Sequence, residues 1–113
     1  MLACKNRLKS QATIQNILAK GRWVSSQTFT LKYQINAQDG EVEIAILISK
    51  KIEPRATQRN RLKRQIAAVC HESMTNFRPG LQMIIIPRIS VTSFSFASMA
   101  AALKSLFKKI DSA

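Results

Sequence analysis

The period at which apolar residues recur changes several times along this chain, and each change predicts a different element. Residues 8–20, LKSQATIQNILAK, place Leu8, Ile14, Ile17 and Leu18 on one helical stripe, and Gly21 follows as a stop. Trp23 and Val24 can begin a short strand. From Thr28 the sequence TFTLKYQIN alternates strictly, with Phe29, Leu31, Tyr33 and Ile35 on one face of a half-buried strand. Asp39-Gly40 offers a turn, and EVEIAILIS resumes the alternation with Val42, Ile44, Ile46 and Ile48 on one side. An antiparallel hairpin of these two strands is the expected arrangement.

In the second half Pro54 suits the first turn of a helix, where a missing N–H costs nothing. Leu62, Ile66, Val69, Cys70 and Phe77 then form the apolar stripe of an amphipathic helix of about 20 residues, ended by Pro79-Gly80. LQMIIIPRI is nearly continuous in apolar, β-branched residues, as an interior strand requires, until Pro87 interrupts the ladder. After a Ser-rich loop, Ser98 can cap a last helix whose stripe includes Ala102, Leu103, Leu106, Phe107 and Ile110. Lys104, Lys108 and Lys109 lie toward its C-terminal half, where the helix dipole favours cations. The order predicts an α+β domain, residues 1–113, with helices packed on one mixed sheet and no repeat or disordered linker.

Composition adds one unusual quantity. The 113 residues are 46% hydrophobic and 21% charged, a folding composition, but 18 Lys and Arg stand against 6 Asp and Glu, a net charge of +12. Such self-repulsion calls for a polyanionic partner, with nucleic acid the leading candidate and an anionic membrane surface the second. Cys4 and Cys70 lack the spacing of a zinc site or disulfide framework and are expected to be reduced thiols. His71, the only histidine, follows Cys70 on a helix, where the two side chains diverge by about 100° and do not make a catalytic pair. MLACKNRLKSQ lacks the apolar run of a signal peptide and no stretch is long enough to span a bilayer, so a soluble cytoplasmic protein is expected.

The charge is concentrated. Between Lys50 and Arg64 seven basic residues face a single acid, Glu53. On a helical wheel Asn60, Arg61 and Arg64 point away from the apolar stripe and Lys63 flanks it, as on any solvated helix face. Arg59 and Arg55, however, lie only about 60° and about 20° from Leu62, in phase with the core. They are tolerated there if the first turns project past the sheet. A helix N-terminus ringed by Lys50, Lys51, Arg55, Arg59, Arg61, Lys63 and Arg64 then attracts phosphates through its unpaired N–H groups as well as its charge. Asn60 is a poor helix former whose amide suits a base or sugar edge as well as plain solvent.

The run SKKIEPRATQRNRLKR, residues 49–64, resembles the signature of the bacterial ribonuclease P protein subunit family, in which two lysines end a strand and an Arg-Asn-Arg plus Lys-Arg element opens the next helix. Arg7-Leu8, Gly21-Arg22, TFTLKY and MIIIPR (83–88) extend the resemblance over nearly the whole chain, in order. It implies a four-stranded mixed sheet with three helices and a left-handed βαβ crossover at the basic helix, against the usual right-handed preference. It implies a subunit of an endonuclease that removes the 5′ leader of precursor tRNA, with catalysis by the RNA subunit and its Mg²⁺ ions, and no catalytic or metal-binding residue in the protein. The catalytic RNA and precursor tRNA would be the partners, with no role for DNA or membrane. Lys50, Lys51, Arg55, Arg59, Asn60, Arg61, Lys63 and Arg64 would contact the catalytic RNA, and Ile14, Leu18, Lys32 and Arg88 would border a cleft for the leader.

The chain departs from the family at that cleft. Ile14 and Leu18 stand where aromatic residues are common, Glu43 where a base is usual and Ala45 where Gly is usual. Phe29 and Tyr33 could substitute as stacking surfaces, but their alternation with Leu31 favours the core. A structural rRNA-binding or ribosome-assembly protein is the alternative from another class, and a major-groove DNA binder a third.

Overall fold

The computed structural model describes residues 6–35, 40–88 and 95–111. The elements run α1 (Gln11–Lys20), β1 (Arg22–Ser25), β2 (Phe29–Ile35), β3 (Glu43–Ile46), α2 (Ala56–Glu72), β4 (Leu81–Pro87) and α3 (Phe96–Asp111). A four-stranded mixed sheet is ordered β1-β2-β4-β3, with β1–β2 and β2–β4 antiparallel and β3–β4 parallel. The α+β expectation of three helices on a mixed sheet holds.

The expected hairpin does not form. Strand β4 lies between β2 and β3, pairing Leu31 with Ile85 on one side and Ile46 with the same Ile85 on the other. Its residues Leu81 to Ile85 are all buried, so it needs a partner along each edge, and β2 and β3 supply them. The parallel β3–β4 pair requires a crossover, which α2 and a 3₁₀ turn at Met74–Asn76 provide. Asp39 of the anticipated turn, Cys4 and the Ser-rich stretch 89–94 lie outside the described residues.

Helices α2 and α3 cover one face of the sheet. Leu62, Ile66, Val69 and Cys70 from α2 and Met99, Leu103, Leu106, Phe107 and Ile110 from α3 pack on Phe29, Leu31, Tyr33, Ile44, Met83 and Ile85. Burying each large aliphatic side chain contributes about 1.5–3 kcal/mol, so this face provides most of the hydrophobic stabilisation. Helix α1 covers part of the opposite face, with Leu8 and Ile17 against Ala45 and Ile84. The free edge of β3 is shielded by the preceding segment: Arg7 bridges to Ile44, the Leu8 N–H donates to the Ile44 carbonyl at 3.0 Å, and buried Asn6 donates to the Val42 carbonyl at 2.8 Å.

Several boundaries differ from the periodicity. Leu8 belongs to that edge segment and not to a helix, because Ser10 caps α1 by accepting from the Thr13 N–H at 3.3 Å. Helix α2 stops at Glu72, and Phe77 reaches the core from beyond the 3₁₀ turn, meeting Phe107 edge-on at 5.0 Å. The cap of α3 is Ser95 and not Ser98, whose own N–H donates to Ser95 Oγ at 3.1 Å.

Candidate nucleic-acid interface

The basic helix starts from a tight connection. After β3 the chain turns at Ser49, whose carbonyl accepts from the Ile52 and Glu53 N–H groups, and this leaves Lys50 and Lys51 exposed. Glu53 is buried, its side chain only 4% exposed, and its Oε1 accepts from the Arg55 backbone N–H at 3.2 Å and from Arg55 Nε at 3.1 Å. Arg55 takes the N-cap position in an extended conformation without side-chain capping, and the first turn contains no acid. The positive end of the helix dipole is therefore left open next to exposed cations.

Arg55 and Arg59 resolve the conflict with the apolar stripe in different ways. Arg55 is 67% exposed beyond the sheet. Arg59, half-buried, turns back and donates from Nη1 to the carbonyls of Glu53 and Pro54. Asn60, Arg61, Lys63 and Arg64 are exposed around buried Leu62. Among the described residues none of Lys50, Lys51, Arg61, Lys63 and Arg64 has an ion pair. Lys63 and Arg64 also border a cavity of about 420 Å³ whose largely apolar wall includes Leu8, Ile14, Ile46 and Leu47. Thus the basic helix and one predicted cleft residue, Ile14, meet at one concavity.

The other predicted cleft residues lie at separate points of the fold. Lys32 Nζ donates to the Leu18 carbonyl at 3.2 Å, which places those two together at the C-terminal end of α1. Arg88 lies past β4 and donates from Nη1 to the Ser26 carbonyl at 2.7 Å, at the end of the sheet where β2 begins. Phe29 and Tyr33 are both buried on the opposite face, so neither offers a ring to the cleft. Glu43 does face the α1 side, at the end of a polar row. Asn16 donates to Gln34 at 3.0 Å, Gln34 to Gln82 at 2.7 Å, and Gln82 to Glu43 Oε1 at 3.0 Å.

Two features escaped sequence reasoning. Trp23 is 65% exposed and pairs with Lys32 across the β1–β2 ladder, a neighbour that only the strand register reveals. A larger cavity, about 700 Å³, opens near the other end of α2 and gathers Lys20, Arg22 and Arg78, which are too far apart in sequence to register as a cluster. Neither Cys70 nor His71 suggests a nucleophilic site: burial pushes the Cys70 thiol up to about 12, and His71 is exposed. Among the described residues no group of three or more His, Cys, Asp or Glu could hold a metal ion, and no helix is long and apolar enough to cross a membrane.

The ribonuclease P family model matches residues 2–111. A ribonuclease P protein component from Carboxydothermus hydrogenoformans is 31% identical over 102 residues, covering 89% of this chain and 87% of its own length. One from a Pseudanabaena species is 27% identical over 109 residues, covering 96% and 94%. In structure, a mutant Staphylococcus aureus RNase P protein superimposes with a TM-score of 0.84 at 24% identity, covering 94% of this chain and 88% of that one. The Thermotoga maritima RNase P protein gives 0.80 at 22% identity, covering 91% and 96%.

Proposed function

The chain belongs to the ribonuclease P protein family, a protein component of that endoribonuclease, and we propose that it binds the catalytic RNA through the N-terminal half of α2 while assisting removal of the 5′ leader from precursor tRNA. The observation that carries the docking assignment is the open start of α2, where exposed cations without ion pairs surround a helix end that has no capping side chain and no acid in its first turn. Lys50, Lys51, Arg55, Arg61, Lys63 and Arg64 neutralise phosphates, and Arg59 divides its donors between its own connection and the RNA. Asn60, exposed between Arg59 and Arg61, is suited to a base or sugar edge.

The protein's part is electrostatic and positional. With a net charge of +12 it lowers the repulsion between catalytic RNA and precursor tRNA, and the α1 side of the sheet, with Ile14, Leu18, Lys32 and Arg88, receives the unpaired leader. Divalent ions held by the RNA would supply the chemistry of hydrolysis, the activation of water and the stabilisation of the leaving oxygen. Among the described residues no group of carboxylates fits a metal site: Glu53 is tied to Arg55, Glu43 to Gln82, and Glu72 pairs with Lys104 at 3.3 Å. The family reading brings with it the left-handed β3–α2–β4 crossover and a cytoplasmic place of action.

The test is multiple-turnover cleavage of a precursor tRNA at low Mg²⁺ by a bacterial ribonuclease P RNA, with and without this protein. Acceleration that is lost with Arg61→Ala is the expected result. RNA binding without acceleration would instead identify a structural RNA-binding protein.

A further inference from the structure

Among the described residues neither α1 nor the interior strands offer an aromatic side chain on the α1 side of the sheet, where the leader reading needs one. Ile14 and Leu18 are aliphatic, and Phe29 and Tyr33 are buried on the other face. Phe77 and Phe107 pack on each other in the core, Phe96 belongs to α3, the helix on the other face, and Phe94 lies outside the described residues. Among the described aromatic residues Trp23 remains. It is the chain's single tryptophan and, at 65% exposure, the most exposed large apolar side chain among the described residues.

Its face follows from the register. Trp23 pairs with Lys32, Lys32 with Ile84, and Ile84 with Ala45, so one row crosses all four strands. Partners directly opposite in a ladder project to the same side. Ile84 and Ala45 pack under Ile17 of α1, and Lys32 Nζ donates to the Leu18 carbonyl, so the row faces α1. Helix α1 covers the Ile84 end and leaves the Trp23 end open beside half-exposed Leu18.

The charge around it selects the occupant. The first 38 residues contain six Lys and Arg and no Asp or Glu, and they include α1, β1 and β2 entire. Among the described strand residues Glu43 is the acid on this side of the sheet, and it lies in a different row and on the strand at the opposite edge, held by Gln82. An exposed indole paired across the ladder with a lysine, in a stretch of chain without acids, fits an unpaired nucleobase: the ring stacks on the base and the cation meets the adjacent phosphate.

We propose that Trp23, displayed on edge strand β1 and paired with Lys32, is the stacking platform for an unpaired nucleotide of the precursor-tRNA leader. This rests on the ribonuclease P reading above and adds a specificity-determining residue to it. It moves the aromatic contact from α1 to the sheet edge, so the leader crosses the β2–β1 side of the cleft and does not lie only along the helix.

The single tryptophan reports directly on the site. In holoenzyme reconstituted with a bacterial ribonuclease P RNA, a precursor tRNA with a long leader quenches tryptophan emission, and a leaderless tRNA quenches it less. Trp23→Ala lowers the ratio of affinities for leader-bearing over leaderless substrate by between about fivefold and about a hundredfold, the worth of one stacked base. Trp23→Phe restores most of that ratio. Unfolding of Trp23→Ala, measured in parallel, separates lost stacking from lost structure. An unchanged ratio in a holoenzyme that still cleaves would overturn the Trp23 assignment alone. Failure of the unaltered protein to accelerate cleavage would overturn the ribonuclease P reading itself.

Discussion

The guanidinium of Arg59 turns back on its own chain, donating from Nη1 to the carbonyl of Glu53 at 2.9 Å and to that of Pro54 at 2.8 Å. One of the densest cations in the basic segment is thereby also a structural clamp on the connection that sets the direction of α2. Arg61, two residues on, is exposed and has no such bond. The two arginines should therefore respond differently to substitution. Arg59→Ala should lose about 1 kcal/mol of folding stability, as expected for partly exposed charge-assisted bonds, together with RNA affinity. Arg61→Ala should leave stability unchanged within about 0.5 kcal/mol and reduce the slope of log affinity against log salt by about one unit. Urea unfolding and salt-dependent binding to the catalytic RNA measure both; an equal stability loss in the two variants would remove the structural role from Arg59.

The carboxylate of Glu43 fixes the direction of a hydrogen-bonded row. Because it can only accept, Gln82 must present its amide nitrogen to it, which leaves the Gln82 oxygen for Gln34 and the Gln34 oxygen for Asn16. Glu43→Gln keeps an acceptor at the end of the row and removes a negative charge from the face assigned to the leader. It should fold with nearly unchanged stability and bind leader-bearing substrate more tightly at low salt, an advantage that fades as salt rises. Glu43→Ala strips the Gln82 amide of its acceptor at a half-buried site and should cost about 1 kcal/mol. Thermal unfolding of the two variants side by side decides whether the row is structural, since equal effects would show that the acceptor is dispensable.

Local features were legible from sequence and register-dependent ones were not. The stripe of α2 from Leu62 to Cys70 and the alternation of β2 from Phe29 to Tyr33 are set by near neighbours in the chain and are found in place, whereas Phe77 lies past the helix and Ile35 is exposed. The expected hairpin does not form because burial and not chain order decides pairing: the nearly continuous apolar run of β4 demands two partners and lies between β2 and β3. Trp23 was visible as a residue but not as part of a site, since its neighbour Lys32 is supplied by the ladder. The Lys20, Arg22 and Arg78 concavity was hidden for the same reason.

Gly21 ends α1 for a reason that composition alone does not reveal. Its φ of −68° is open to any residue, so backbone freedom is not what it provides. A Cβ at this position would stand 2.5 Å from the Ile17 carbonyl oxygen and 3.0 Å from that of Tyr33, both backbone atoms that cannot swing away. Gly21→Ala must therefore push α1 from the β1–β2 end of the sheet and should cost about 1–3 kcal/mol, as overpacking does. Because α1 forms one wall of the proposed cleft, affinity for leader-bearing substrate should fall more than affinity for the catalytic RNA. A variant as stable as the parent would mean that the helix can shift at no cost.

Cys70 predicts how the core responds to alkali. Burial under the sheet pushes its thiol from an ordinary 9.0 up to about 12, because the thiolate would lose its hydration there. Below pH 9 the thiol is protonated in both folded and unfolded chains and its contribution to stability is fully present. Above that, the unfolded chain releases a proton that the folded chain retains until about pH 12, so stability falls across this window by up to about 1.4 kcal/mol per pH unit. The informative quantity is the difference in slope between the parent protein and Cys70→Ala. Denaturant unfolding at about pH 8 and about pH 10, on either side of the free thiol's transition, should show a smaller loss in the variant. Parallel slopes would mean that the thiol ionises in place, and Cys70 itself, identified by mapping the labelled residue, would then be modified by thiol reagents at about pH 10, which a buried neutral thiol should resist.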